Sequence, residues 1–145
     1  MELRAIEPDS APFSRMTGLL GEAGLPTDDL RAEPARYYAL MAGREPVAFA
    51  GIVPLGREGM LRSLVVPNER RGGGIGRSAV EALLAEARSQ GIGRLWLLTT
   101  SAKEFFGRQG WQTADRREAP AAIAASRQFT VSCPASAVLM WRTLA

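Results

Sequence analysis

Between positions 61 and 77 the chain reads Leu61-Arg62-Ser63-Leu64-Val65-Val66-Pro67-Asn68-Glu69-Arg70-Arg71-Gly72-Gly73-Gly74-Ile75-Gly76-Arg77. An apolar run gives way to a basic turn with four glycines in five positions, and then to the first turn of a helix. A chain that enters a helix through glycines leaves the first backbone N–H groups without intrahelical partners, all pointing one way. Those donors and the positive end of the helix dipole favour an anion, typically a phosphate. Arg70, Arg71 and Arg77 add full charges around the same spot. The stretch therefore reads as a site for a phosphorylated ligand. A turn kept only for flexibility rarely needs so many glycines or two arginines ahead of them.

Two common phosphate motifs fit poorly. A Walker A loop requires Gly-Lys-Ser or Gly-Lys-Thr, which does not follow here. Gly74-Ile75-Gly76-Arg77-Ser78-Ala79 matches a dinucleotide fingerprint formally. That motif expects an acidic residue roughly 20 positions on, at the end of the next strand. Leu98-Thr99-Thr100 stands there instead. An NAD-binding fragment predicts thermal stabilisation by dinucleotide.

The pattern Arg71-x-x-Gly74-x-Gly76, after a strand ending Val65-Val66-Pro67, resembles the acetyl-CoA motif of the GCN5-related N-acetyltransferases, the GNAT superfamily. A second likeness follows in Ala102-Lys103-Glu104-Phe105-Phe106-Gly107-Arg108-Gln109-Gly110-Trp111, which is similar to that superfamily's Ala-x-x-aromatic-Tyr-x-x-x-Gly-aromatic helix. Two finer likenesses stand beside these. Leu97-Leu98-Thr99-Thr100 and Ser136-Ala137-Val138-Leu139-Met140 look like the acetyltransferase domain of N-acetylglutamate synthase. Arg116–Ile123, Phe129 and Cys133-Pro134-Ala135-Ser136-Ala137 look like the small acetyltransferases found with arsenic-resistance genes.

The resemblance implies an α/β fold with a mixed sheet of six to seven strands, a central splayed parallel pair, and helices on both faces. It implies acetyl-CoA as cosubstrate, with no metal. Leu64, Val65 and Val66 would pair through their backbone with the pantetheine arm, and the Leu64 N–H would be the oxyanion donor. Arg71, Gly72, Gly73, Gly74, Ile75, Gly76 and Arg77 would meet the diphosphate, with Arg70 beside them. Phe105 and Phe106 would close over the pantetheine. The implied activity is an N-acetyltransferase for a small-molecule amine, an amino acid or a toxic amino-acid analogue. The alternative is a coenzyme-A-binding sensor or partner module without catalysis. Superfamily members often pair, which implies a homodimer.

One position departs from the family pattern. Its usual tyrosine acid falls at Phe106, which has no proton to give. Cys133, Ser132, Ser136 and Thr100 are candidate replacements, and Glu69 and Glu104 are candidate bases. Catalysis by positioning and a water relay needs none of them. Within the strand, simple alternation groups Leu61 with Ser63 and Val65, and Arg62 with Leu64 and Val66. A cation in an apolar strand is costly unless it meets an anion. Arg62 is therefore expected to face the acceptor and hold its carboxylate.

The rest of the chain must position these groups. Its 145 residues suit one domain over 1–145 with a substantial core. The absence of histidine removes Ser-His-Asp and Cys-His catalysis and most zinc sites. A net charge of +3 is too mild to argue for nucleic acid. No apolar run approaches the ~20 residues of a membrane span. Met1-Glu2-Leu3-Arg4 lacks a signal-peptide pattern, and the single Cys133 excludes an internal disulfide, so a cytoplasmic location is expected. Periodicity predicts strands over 1–7, 37–42, 47–53, 60–66, 95–99, 111–114 and 137–143. It predicts helices over 14–23, 75–90 and 102–109, with short ones near 28–32 and 118–125.

Overall fold

The computed structural model describes residues 1–31, 34–132 and 134–144. Seven strands form one sheet in the order β1-β2-β3-β4-β5-β7-β6. The strands are β1 (Glu2–Ile6), β2 (Arg36–Ala42), β3 (Glu45–Leu55), β4 (Glu58–Val65), β5 (Arg94–Thr99), β6 (Gln112–Ala114) and β7 (Val138–Thr143). Among the described residues only β4 and β5 pair in parallel. They are joined through the long helix α2 (Ile75–Ser89), as parallel neighbours require a crossover.

Helices cover both faces. Val80, Leu83, Leu84 and Ala87 of α2 pack on Ile52, Leu61, Leu95 and Leu97. On the opposite face, Phe13, Met16 and Leu20 of α1 (Ala11–Glu22) pack on Tyr37, Phe49 and Val65. The helix α3 (Lys103–Gly107) sends Phe106 into the α2-side core, where its ring centroid lies 5.5 Å from that of Trp111. Ile123 of α4 (Ala121–Ala124) closes the other face over Met60, Trp96 and Leu139. No helix among the described residues is long and apolar enough to cross a membrane.

Local rules explain where the predicted boundaries shift. Helix α1 begins three residues before the expected Ser14, because the Ser10 side chain accepts from the Phe13 N–H and Pro12 suits a first turn. The helix expected near 28–32 is a turn over 28–31, its last position lying outside the described residues. The segment expected as one helix over 118–125 is split at Pro120, into a 3-10 turn at Arg116–Glu118 and α4. Asp115 and Glu118 close a reciprocal capping box on that turn.

The sheet is irregular at the point that matters most for the site. Phe49 pairs with Val65 and Gly51 with Arg62, so Ser63 and Leu64 together oppose the single residue Ala50. This is a β-bulge, and Ser63 adopts a left-handed φ of 59°. The extra residue corrects the predicted alternation. Leu61 and Leu64 share the α2 face, while Arg62 and Val65 share the α1 face.

Candidate active site

Parallel pairing between β4 and β5 covers Glu58–Met60 and Arg94–Trp96. Beyond Met60 and Trp96 the strands part, while β5 stays paired with β7 as far as Thr99 and Val138. A cavity of about 190 Å³ opens in the gap. Its walls are Leu61–Leu64 on one side and Leu97–Thr99 on the other. Leu25 and Pro26 from the loop after α1, and Gln128 from the late segment, complete it. Gln128 is buried and Ser63, Thr99 and Ser101 add hydroxyls. No periodicity marks Leu25, Pro26 or Gln128, because loop contacts across the sheet carry no sequence pattern.

A second groove lies beside this cavity, at the start of α2. It is lined by Leu64–Val66, Arg70–Gly72, Gly74–Arg77 and Phe105. Leu64 and Phe105 line both spaces, so cleft and groove are immediate neighbours. At the groove's outer end, Gly72 and Gly74 take φ of 85° and 79°, a conformation that a Cβ disfavours. Gly74 is the N-cap of α2, no side chain caps the helix, and its first turn holds no acid. The N-terminal donors are thus left to the groove.

The predicted residues take distinct positions. Leu64, Val65, Val66, Arg71, Gly72, Gly74, Ile75, Gly76, Arg77 and Phe105 come together in the groove. Arg71 is held there by its Nε–H, which donates to the Val66 carbonyl at 2.9 Å. Arg70 also lines the groove, but its guanidinium pairs with Glu45. Gly73 belongs to the same turn without lining the groove. Phe106 borders the cleft and is otherwise core.

Of the suggested proton carriers, the four whose side chains are described lie outside the cleft lining. Thr100, Ser136 and Glu104 are exposed and outside the cleft lining, and Glu69 pairs with Arg15 at 3.5 Å. Cys133 lies outside the described residues, as does the side chain of Ser132. Both tyrosines are engaged elsewhere. The Tyr37 hydroxyl donates to the Leu30 carbonyl at 2.8 Å, and the Tyr38 hydroxyl accepts from Gln90 at 2.7 Å.

Arg62 borders the cleft, and an anion meets it from within the chain. Its Nη2 lies 2.7 Å from a carboxylate oxygen of Asp29, a residue with no exposed surface. The cost that motivated a substrate carboxylate at Arg62 is thus offset by Asp29, which is 33 positions away in the chain.

The model of the acetyltransferase (GNAT) family matches residues 2–111. The chain belongs to that family. Solved structures agree on the fold of this GNAT acetyltransferase. N-acetylglutamate synthase from Neisseria gonorrhoeae, complexed with coenzyme A and N-acetyl-glutamate, superposes with a TM-score of 0.78 at 21% identity. The match covers 100% of this chain and 36% of the synthase, so the chain spans about a third of that protein's length. Tetrahymena GCN5 superposes with a TM-score of 0.79 at 11% identity, over 100% of this chain and 97% of that one. An aminoglycoside 6'-N-acetyltransferase complexed with coenzyme A gives 0.69 at 17% identity, over 100% and 98%. No curated protein sequence matches the chain.

Proposed function

We propose that this acetyltransferase moves the acetyl group of acetyl-CoA to the amine of a small molecule, an amino acid or a toxic amino-acid analogue. One observation carries the reading: the gap between β4 and β5 adjoins, across Leu64 and Phe105, a groove at the open N-terminus of α2. The groove suits a diphosphate at its outer end, through the Gly72–Gly76 turn, Arg71 and Arg77. Where β4 leaves β5, its unpaired edge suits the amide-bearing pantetheine arm. The acceptor amine enters the cleft from the side of Leu25, Pro26 and Gln128.

The neutral amine attacks the thioester carbonyl, the C–N bond forms, and the C–S bond breaks. The amine's proton leaves to water, and the coenzyme thiolate is protonated or released. The Leu64 N–H is the proposed oxyanion donor, and one such donor is worth ~3 kcal/mol in acyl-transfer sites. The remaining rate enhancement comes from holding amine and thioester together. Arg62, being paired with Asp29, meets an acceptor carboxylate only by sharing its guanidinium. A cytoplasmic setting and a homodimer belong to the same proposal.

Phe106 favours a second reading. Its ring is packed against Trp111 where the family's acid usually stands, and a coenzyme-A sensor would need no acid there. Thiol release from acetyl-CoA across a panel of amino acids and their phosphorus and arsenic analogues separates the two. Turnover supports the transferase, and binding without turnover supports the sensor. The absence of any heat from coenzyme A, together with an unaltered Gly74→Val variant, would overturn both.

A further inference from the structure

We infer that Asp29, acting through Arg62, is a positioning residue that locks the acceptor wall to the β4 bulge; this rests on the acetyltransferase reading above. The pair is almost fully withdrawn from water, with side-chain exposures of 0% for Asp29 and 3% for Arg62. Removing two charges from water offsets much of their attraction, and a well-packed apolar pair is often as stable. What an ion pair adds here is geometry, because each partner is fastened to a different part of the cleft.

On the strand side, the Arg62 Nε–H donates to the Ser63 hydroxyl at 3.0 Å. Ser63 is the left-handed residue of the bulge, in a conformation that a Cβ disfavours. The bulge turns Leu64 onto the α2 face, where it meets both cleft and groove. On the loop side, Asp29 precedes Leu30, whose carbonyl accepts from the Tyr37 hydroxyl. The same loop carries Leu25 and Pro26 into the cleft wall.

Gly51 makes this connection sterically feasible. It pairs with Arg62 in register, and a Cβ there would lie 2.8 Å from the Tyr37 ring and 3.4 Å from Arg62 Cγ. Tyr37 and the Arg62 stem thus cross β3 over a residue without a side chain, and both reach the 25–30 loop. The acceptor wall and the peptide that carries the Leu64 N–H are tied into one unit.

Asp29→Asn and Ser63→Gly test this. Asp29→Asn removes the charge but keeps the shape. Ser63→Gly removes the hydroxyl while accepting the left-handed φ. Three quantities are read: coenzyme A affinity by calorimetry, the Leu64 amide resonance in the coenzyme-A-bound protein, and thiol release from saturating acetyl-CoA with a mixture of the common L-amino acids. Misplacement of reacting groups by ~1 Å costs up to ~100-fold in rate. Asp29→Asn is expected to lower thiol release by about ten- to a hundredfold, shift the Leu64 resonance, and leave coenzyme A affinity within about threefold. An unchanged rate, or a rate loss matched by an equal loss of coenzyme A affinity, overturns the inference. If Asp29→Asn does not fold, Ser63→Gly decides, read at the far side of the link because an exchange beside Leu64 moves its amide in any case: unmoved Leu25 and Asp29 amide resonances refute the coupling and shifted ones support it. If the parent protein turns over no amino acid, the acceptor assignment fails separately, and the Leu64 resonance still decides this inference.

Discussion

The ring of Phe105 rests on Gly76: a Cβ built on that glycine would lie 3.2 Å from Phe105 Cζ and 3.4 Å from Cε1. A glycine in the first turn of α2 lets the α3 ring settle against the helix end, and the ring then forms the wall shared by groove and cleft. The neighbouring ring of Phe106, 5.0 Å away and edge-on, turns inward to the core.

This division separates the two phenylalanines experimentally. Phe106→Ala empties a packed core position and should cost about 3–5 kcal/mol of stability. Phe105→Ala removes a half-buried ring and should cost about 1–2 kcal/mol, while weakening coenzyme A binding about tenfold. Urea unfolding and calorimetry on both variants check the pattern, which an equal stability loss would contradict.

Gly73 and Gly74 should respond differently to the same methyl group. Neither site has a heavy atom within 4 Å of a built Cβ, so crowding plays no part. Gly74 has a φ of 79°, and Gly74→Ala should destabilise by about 1–2 kcal/mol through backbone strain alone. Gly73 has no positive φ, and Gly73→Ala should stay within about 0.5 kcal/mol of the parent. Thermal unfolding without ligand measures both.

Arg71 and Arg70 should differ in ligand binding. Arg71 is oriented into the groove by the Val66 carbonyl, whereas Arg70 is shared with Glu45. A charge-assisted hydrogen bond is worth about 1.5–3 kcal/mol, so Arg71→Ala should weaken coenzyme A binding by tenfold or more. Arg70→Ala should weaken it by about threefold or less. The Arg71→Ala affinity should also depend less on salt, which titrations at two ionic strengths would show.

Glu58 should contribute to the acid limit of stability. Burial pushes its carboxyl up, but the Arg94 and Trp96 N–H donors and the Arg94 charge together outweigh this, and it titrates below its ordinary 4.5. A carboxyl lowered in the folded state stabilises the fold above its unfolded value, and that contribution fades as pH falls through the folded value. Glu58→Gln should therefore lower the urea midpoint at about pH 7, and the difference from the parent should shrink toward about pH 3. A difference that stays constant with pH would contradict the assignment.

Much of the fold was legible because its signals are local. The α2 stripe of Ala79, Leu83, Leu84 and Ala87 repeats at helical spacing, and all four residues are buried. The early hairpin and the crossover helix follow from turn residues and periodicity alone. Ser10 and Pro12 held the signal for the true start of α1, as a capping serine followed by a proline in the first turn. The bulge escaped because alternation assumes one residue opposite each partner, and an inserted residue is visible only once β3 is paired with β4.

The amino-acid sequence by itself determined the glycine turn and helix start to which the proposal assigns the diphosphate. Four glycines, flanking arginines and a helix start act through backbone conformation and charge within 17 consecutive positions. Tertiary structure decided which anion meets Arg62, which face Leu64 presents, and which individual loop residues wall the cleft. Those outcomes depend on Asp29, Ala50 and Gln128 arriving from distant parts of the chain. Pairings of that kind are set by sheet register and packing, and neither leaves a periodic trace in the order of residues.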